Sequence, residues 1–99
     1  NAKDNNGDTP ILIAGKNGHV EIVKALVEYK ADINVQDKFG NTPLINACMK
    51  MYTGIASFLI ERGADLTLAN KDSRTAMDIA IKMRLENVIN TMKRRDQKR

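Results

Sequence analysis

The chain has 99 residues, 42% of them hydrophobic and 28% charged, which is ordinary for a soluble globular chain of at most one domain. Its single cysteine, Cys48, excludes an intrachain disulfide, and no apolar run approaches the roughly 20 residues that span a bilayer. The formal charge is +4, but much of the excess lies in the C-terminal tail, so the body of the protein is close to neutral and is not built as a general trap for anions.

The start of the chain, Asn1 to Asp4, lacks the basic and then apolar pattern of a signal peptide. Nothing in the sequence requires an oxidising compartment, because disulfides are typical of extracellular proteins and none can form here. We therefore expect an intracellular protein, cytoplasmic or nuclear, with no membrane span and monomeric in isolation.

Two short helices are predicted first in chain order. Residues 7–10, Gly-Asp-Thr-Pro, are typical of a helix start: glycine permits a turn, threonine can cap, and proline suits the first helical position. A short apolar helix follows to Lys16 and ends before Gly18. The second helix has one apolar face, formed by Ile22, Val23, Leu26 and Val27.

The same order of elements returns 33 residues later. Residues 40–43, Gly-Asn-Thr-Pro, predict a second helix start, and residues 62–65, Arg-Gly-Ala-Asp, the end of the helix that follows. The period is shown by matching residues at equal spacing, Thr9, Thr42 and Thr75, and Ala14, Ala47 and Ala80. A helix–turn–helix unit of this size cannot bury its apolar faces alone, so the units are expected to stack into a solenoid.

These residues resemble the ankyrin repeat, whose signature is Thr-Pro-Leu-His-x-Ala at a 33-residue period. The stretch 4–32 is very close to a typical unit of that family, and the resemblance covers essentially the whole chain as three units, 1–33, 34–66 and 67–99. It implies an all-α solenoid of stacked helix-turn-helix units with connecting β-hairpin-like loops. It also implies a protein that binds other proteins and catalyses no reaction.

Departures from the family pattern lead to further expectations. The signature histidine is replaced by Leu12, Ile45 and Asp78, so its usual hydrogen bonds are absent. Met51 and Arg84 stand where unit one has Gly18, which predicts a less regular turn between the two helices of units two and three.

The two ends of the stack are expected to differ. The second helix of unit three carries Asn87, Thr91 and Lys93, and a polar outward face is typical of a C-terminal capping repeat. Asn1 aligns with Asn34 inside a connecting loop, so the chain starts within a unit. We therefore expect it to be part of a larger protein with repeats upstream.

In ankyrin stacks the loop tips and the ends of the first helices form a concave side that binds partners. Alignment of the units places fourteen candidate partner-binding residues there, with Phe39, Met49, Arg74 and Met83 as the favoured anchors because aromatic residues, methionine and arginine are common at interfaces. The whole set is Asn6, Asp8, Lys16, Asn17, Lys38, Phe39, Asn41, Met49, Lys50, Lys71, Asp72, Arg74, Lys82 and Met83. The alternative for Phe39 is that its ring folds back onto the adjacent loop.

Catalytic, metal and cofactor chemistry is not indicated. His19 is the only histidine and has no ligand partner at metal-binding spacing, so its role is expected to be structural. Cys48 is expected to be a buried apolar residue, with a reactive thiol as the alternative. We predict no enzyme activity and no cofactor.

Two further features have alternative readings. The basic tail, with Lys93, Arg94, Arg95, Lys98 and Arg99, either binds nucleic acid, anionic lipid or an import receptor, or offsets a helix dipole and keeps the end soluble. Besides protein binding and binding through the tail, a third possible function is that the repeats regulate an enzyme of which they form a segment.

Asn34 occupies the loop position that is hydroxylated in ankyrin repeats; the alternative is that it only hydrogen-bonds the loop backbone.

Overall fold

The computed structural model describes residues 7–97, with side chains up to Arg95. Six helices follow one another in three pairs, and no extended strand occurs in this part of the chain. The helices are α1 (Pro10–Lys16), α2 (Val20–Glu28), α3 (Pro43–Met49), α4 (Thr53–Glu61), α5 (Ala76–Lys82) and α6 (Glu86–Gln97). The expected all-α repeat solenoid is confirmed.

The helices form two layers. The first helices of the pairs pack in the order α1, α3, α5, and the second helices pack in the order α2, α4, α6. One continuous apolar core lies between them, with the side chains of Leu44, Ile45, Leu59, Ile60 and Met92 almost fully buried. Each unit therefore contributes its apolar faces to a core that it shares with its neighbour.

Threonine begins each first helix, as predicted, but the three threonines act differently. Thr42 Oγ1 accepts a hydrogen bond from the backbone N–H of Ile45 at 3.1 Å. Thr75 and Asp78 cap each other reciprocally, the Asp78 carboxylate accepting from the Thr75 N–H at 3.0 Å. Asp78, which replaces the signature histidine, thus stabilises the start of α5. Thr9 makes no side-chain cap bond.

The turns between the helices of a pair are alike in all three units, so the prediction of a less regular turn is wrong. Met51 and Arg84 adopt φ angles of 61° and 58°, close to the 73° of Gly18. The following hydrogen bonds also repeat: the N–H of Tyr52 reaches Ala47 O at 2.9 Å, and equivalent bonds of 3.0 and 2.9 Å close the turns of the other two units. Packing of the two helices therefore imposes the left-handed conformation at residues that disfavour it.

Lys30 is a similar case, because it has φ 64° where unit two has Gly63 at 91°. Left-handed backbone costs a non-glycine residue roughly 1–2 kcal/mol. We expect Lys30→Gly to raise the free energy of unfolding by about 1 kcal/mol, measured by urea denaturation. Lys30→Ala removes the same charge but keeps the Cβ, so it is expected to give no comparable gain; equal gains from both variants would contradict the backbone explanation.

The connecting loops end in tight turns that contact one another. In unit two the N–H of Gly40 bonds the carbonyl of Asp37, and in unit three the N–H of Ser73 bonds the carbonyl of Asn70, both at 2.9 Å. A β-bridge joins the two sides of the unit-three loop at Ala69 and Thr75, in agreement with the hairpin-like form expected. The two turns lie side by side, and the backbone hydrogen bond from Lys71 to Phe39 connects them directly.

α6 differs in one detail from the expected capping helix. Asn87 and Lys93 are exposed, but Thr91 is buried, and its hydroxyl donates to the carbonyl of Asn87 at 2.8 Å. Satisfying the hydroxyl within its own helix allows a threonine to lie in the core. None of the helices in the described range has the length and apolar character needed to cross a membrane.

Candidate protein-interaction surface

Phe39 lies at the tip of the unit-two loop and is 57% exposed. The ammonium of Lys38 lies 5.2 Å from the centre of its ring, a cation–π distance. The backbone around the ring is fixed, because Phe39 N–H donates to the Asp37 carboxylate at 2.9 Å and Phe39 C=O accepts from Lys71 N–H at 3.0 Å. An ordered loop thus presents a large apolar side chain to solvent.

A groove between units two and three contains five of the fourteen predicted residues. It has a volume of about 300 Å³, and we call it the methionine groove; its lining residues are Met49, Asn70, Asp72, Arg74, Ile79, Lys82 and Met83. Met49 is the last residue of α3 and Met83 is the residue directly after α5, so the stacking of α3 on α5 brings them together.

Two of the lining residues, Asn70 and Ile79, were missed by alignment of the units. Asn70 replaces the aspartate found at the start of the loop turn, and Ile79 follows the capping residue inside α5. Ile79 shares its repeat position with Ile13 and Asn46, so the residue type does not mark it as a groove residue.

Asp8 and Asn41 are buried and bonded within the protein rather than presented to solvent. The Asp8 carboxylate accepts from Lys16 Nζ at 3.0 and 3.1 Å. The Asn41 side-chain oxygen accepts from Asn70 Nδ2 at 2.9 Å, which connects the loops of units two and three. The small exposed fraction of both residues, 8% and 6%, leaves little surface for a partner to contact.

The rest of the predicted set is more accessible. Asn17, Lys50 and Lys71 are exposed, and the Asn17 amide donates to the carbonyl of Ile13 at 3.0 Å. Lys16 is half-buried. Asn6 lies outside the described residues.

Lys16 joins units one and two by an ion pair at each side. Besides Asp8, its ammonium contacts Asp37 Oδ2 at 3.2 Å, and the Asp37 side chain is 1% exposed. Burial disfavours the charged forms, but hydrogen bonds outweigh it: those from the Asn41 N–H, Lys16 and the Phe39 N–H lower the pKa of Asp37, and those to Asp8 and Asp37 raise the pKa of Lys16. Asp37 therefore organises the loop that carries Phe39.

The structure places the other candidate chemical groups as follows. His19 precedes α2 and is exposed, and its side chain does not cap the helix. Cys48 is completely buried, and burial raises the pKa of its thiol to about 12, which opposes formation of the reactive thiolate. Within residues 7–97, no three His, Cys, Asp or Glu side chains converge on a possible metal site.

The described part of the basic tail bonds to the protein itself. Arg95 Nη1 donates to the carbonyl of Ile60 at 3.1 Å and to that of Ala64 at 2.6 Å, both at the end of α4. A cation close to the C-terminus of a helix opposes the helix dipole. Arg94 donates to Thr91 Oγ1 at 3.2 Å. Lys98 and Arg99 lie outside the described residues.

Asn34 lies in the loop between units one and two and is half-buried. Its side-chain oxygen accepts from the backbone N–H of Asp65 at 2.8 Å, and its own N–H donates to the Asp32 carboxylate at 2.9 Å. The side chain thus hydrogen-bonds the neighbouring loop backbone. Its hydroxylation stays a prediction.

Comparison with known proteins agrees with this architecture. A family model described as ankyrin repeats (3 copies) matches residues 1–70 and 29–97. Regulatory protein SWI6 of Kluyveromyces lactis is 54% identical over 35 residues, a stretch that covers 35% of this chain and 5% of that protein. The match thus extends over only a small part of the yeast protein's length. Three stacked helix pairs, the 33-residue period and the family match together show that the chain belongs to the ankyrin repeat family.

Proposed function

We propose that this chain is a single domain of three units, 1–33, 34–66 and 67–99, that binds a partner protein on one side and catalyses no reaction. Ankyrin repeats are generally protein-interaction modules. The observation that carries the proposal is the exposed Phe39 ring on a loop whose backbone is hydrogen-bonded to the loop that lines the methionine groove.

The binding surface comprises the exposed members of the predicted set and the partly buried Met83. Asp8, Asn41 and Lys16 stabilise the loops that carry this surface. Lys16 pairs with Asp8 and Asp37, and Asn41 accepts a hydrogen bond from Asn70. A preorganised surface loses little conformational entropy when it binds, which favours affinity. The contacting residues are Asn17, Lys38, Phe39, Met49, Lys50, Lys71, Asp72, Arg74, Lys82 and Met83.

We further propose that the domain acts inside the cell, in cytoplasm or nucleus, as part of a larger regulatory protein. The buried, unpaired thiol of Cys48 is compatible with a reducing compartment. The 35-residue similarity to a yeast protein named as regulatory supports the regulatory role.

The test is affinity capture from the source cells followed by binding measurements with each purified candidate partner. A true partner is expected to bind the Phe39→Ala variant at least tenfold more weakly, because exposed aromatic residues are frequent anchors of interfaces. Tyr29→Ala is the matched control: Tyr29 is also aromatic, is 85% exposed and lies outside the groove at the end of α2.

Circular dichroism and urea unfolding of both variants would show that the fold is retained. If no captured protein distinguishes Phe39→Ala from Tyr29→Ala, the surface is wrongly placed. If the partner instead loses affinity only with Tyr29→Ala, binding takes place at the other end of the stack.

A further inference from the structure

We propose that the methionine groove accepts a long apolar side chain from an acidic segment of the partner. This inference rests on the proposed function and adds the chemistry of the partner to it. It follows from three properties of the surface: the composition of the groove, the charges around it and the way its loops are fixed.

The floor of the groove is apolar and adaptable. Met49 is 43% exposed, Met83 is partly buried and Ile79 is nearly buried, so the groove extends from the solvent-exposed surface down to the apolar core. Methionine has three rotatable bonds and a polarizable sulfur, which suit it to binding surfaces that must fit a partner's side chain. A volume of about 300 Å³ is at the lower limit of ligand pockets and fits one or two side chains rather than a folded domain.

The charges around the groove are predominantly positive. Arg74 and Lys82 line it, and three further exposed lysines lie on the loop tips and helix end beside it, Lys38, Lys50 and Lys71. The exposed acidic residues in the same region are Asp72, which lines the groove, and Asp78, whose carboxylate accepts a hydrogen bond from the Thr75 N–H.

The buried ion pairs nearby do not reverse this balance. Lys16 lies between two aspartates, Asp8 and Asp37, and this group as a whole carries one negative charge beneath the surface. The six cations of the region still exceed its four aspartates. An acidic segment is therefore attracted to the groove, and a basic segment is repelled.

The cationic loops are also fixed in position. Gln36 Nε2 donates to the carbonyls of Gly40 and Ala69 at 2.8 and 3.1 Å, which holds the loops of units two and three together. Lys71 is connected to Phe39 by their backbone hydrogen bond. Lys38 and Lys71 thus belong to loops that are hydrogen-bonded to each other.

The test uses fluorescence anisotropy with four labelled peptides of twelve residues. The first is rich in Asp and Glu with two central leucines, the second has alanines in place of the leucines, the third has Lys in place of the acids, and the fourth is neutral with the two leucines. We expect the acidic leucine peptide to bind at least tenfold more tightly than the other three, with an affinity that falls as salt is added.

Variants of the protein locate the binding site. Arg74→Glu with Lys82→Glu, and separately Met83→Ala, are each expected to weaken binding of the acidic leucine peptide about tenfold or more. The controls carry changes of the same type outside the groove: Lys93→Glu on α6, which reverses one charge, and Met51→Ala in the exposed turn of unit two. Amide chemical shifts would show whether the peptide perturbs residues 70–83, and urea unfolding would show that each variant folds.

The proposal is overturned if the basic or alanine peptide binds as well as the acidic leucine peptide, if Lys93→Glu weakens binding as much as the groove variants, or if a single-stranded oligonucleotide of equal charge competes fully. A partner that is sensitive to Phe39→Ala but not to Arg74→Glu with Lys82→Glu would refute the acidic chemistry and leave the proposed function standing. A partner insensitive to both would refute the proposed function itself.

Discussion

Replacement of Gly40 by alanine is expected to lower the free energy of unfolding by about 3 kcal/mol, because two costs coincide at this residue. Its φ of 80° is left-handed, and an added Cβ would lie 2.9 Å from the backbone nitrogen of Lys71 and 3.0 Å from Cα of Asn70. These are backbone atoms, so they cannot rotate away as a side chain can. Urea denaturation of the purified chain measures the loss.

Gly63→Ala separates the two costs. Gly63 also has a left-handed φ, 91°, but an added Cβ there would meet no atom within 4 Å. We expect this variant to lose only the conformational part, about 1–2 kcal/mol. Equal losses at Gly40 and Gly63 would mean that the unit-two and unit-three loops can separate without cost.

Asp37→Asn is expected to destabilise the chain by about 2 kcal/mol at pH 7, since it removes the charge from a buried carboxylate that accepts several hydrogen bonds. The Asp37 carboxylate accepts from the backbone N–H groups of Phe39 and Asn41 at 2.9 Å each and contacts Lys16 at 3.2 Å. Asparagine retains an oxygen for the N–H groups but loses one of the two carboxylate charges that pair with Lys16; the other, Asp8, remains. Asp72→Asn, at an exposed position of the next loop, is the control and is expected to change stability by less than about 0.5 kcal/mol.

The pH dependence of the Asp37→Asn effect has a definite sign. The pKa of Asp37 is lowered by folding from its ordinary value of 3.8, so the unfolded chain takes up the proton first as the pH falls. The stabilisation from this carboxylate is therefore complete well above pH 3.8 and is lost as the pH falls through the lower folded value. We expect the difference between wild type and Asp37→Asn to narrow in that range, as measured by urea unfolding; a difference that does not change between pH 7 and pH 3 would contradict the assignment.

Lys16 should give the opposite dependence at the other end of the pH scale. Its pKa is raised from 10.5 despite burial, because both aspartates bond to the ammonium. Its contribution is complete below pH 10.5 and is lost as the pH rises through the folded value. The contact between units one and two is thus strongest in the broad neutral range.

The sequence predicted the architecture because the 33-residue period, the threonine starts and the apolar faces all indicate the same fold. Five of the seven residues that line the methionine groove were also in the predicted set, since corresponding segments of stacked units lie side by side. The sequence alone does not show whether a polar loop residue is free to contact a partner or is hydrogen-bonded within the protein. Asp8 and Asn41 occupy loop positions that suit a partner, but they are bonded to Lys16 and Asn70 instead.

The errors have a common physical origin. The conformational preferences of Met51 and Arg84 predict an irregular turn, but packing of the paired helices determines the conformation of the turn. The polarity of Thr91 predicts an exposed side chain, but its hydrogen bond to the carbonyl of Asn87 in the same helix lowers the free-energy cost of burying it. The bonds of Arg95 to the Ile60 and Ala64 carbonyls are a different case: they join residues 35 and 31 positions apart, and such a contact has no local signal in the sequence.

The four non-glycine residues with left-handed φ between residues 7 and 97 bear on how the protein unfolds. Lys30, Met51, Ser73 and Arg84 all stand in turns whose backbone opposes their own preference, and the surrounding helices must supply the energy that keeps them there. A peptide of one unit would lack that support, and its turns would open. These turns therefore make each unit depend on its neighbours. We expect the three units to unfold in one cooperative transition rather than one helix pair at a time.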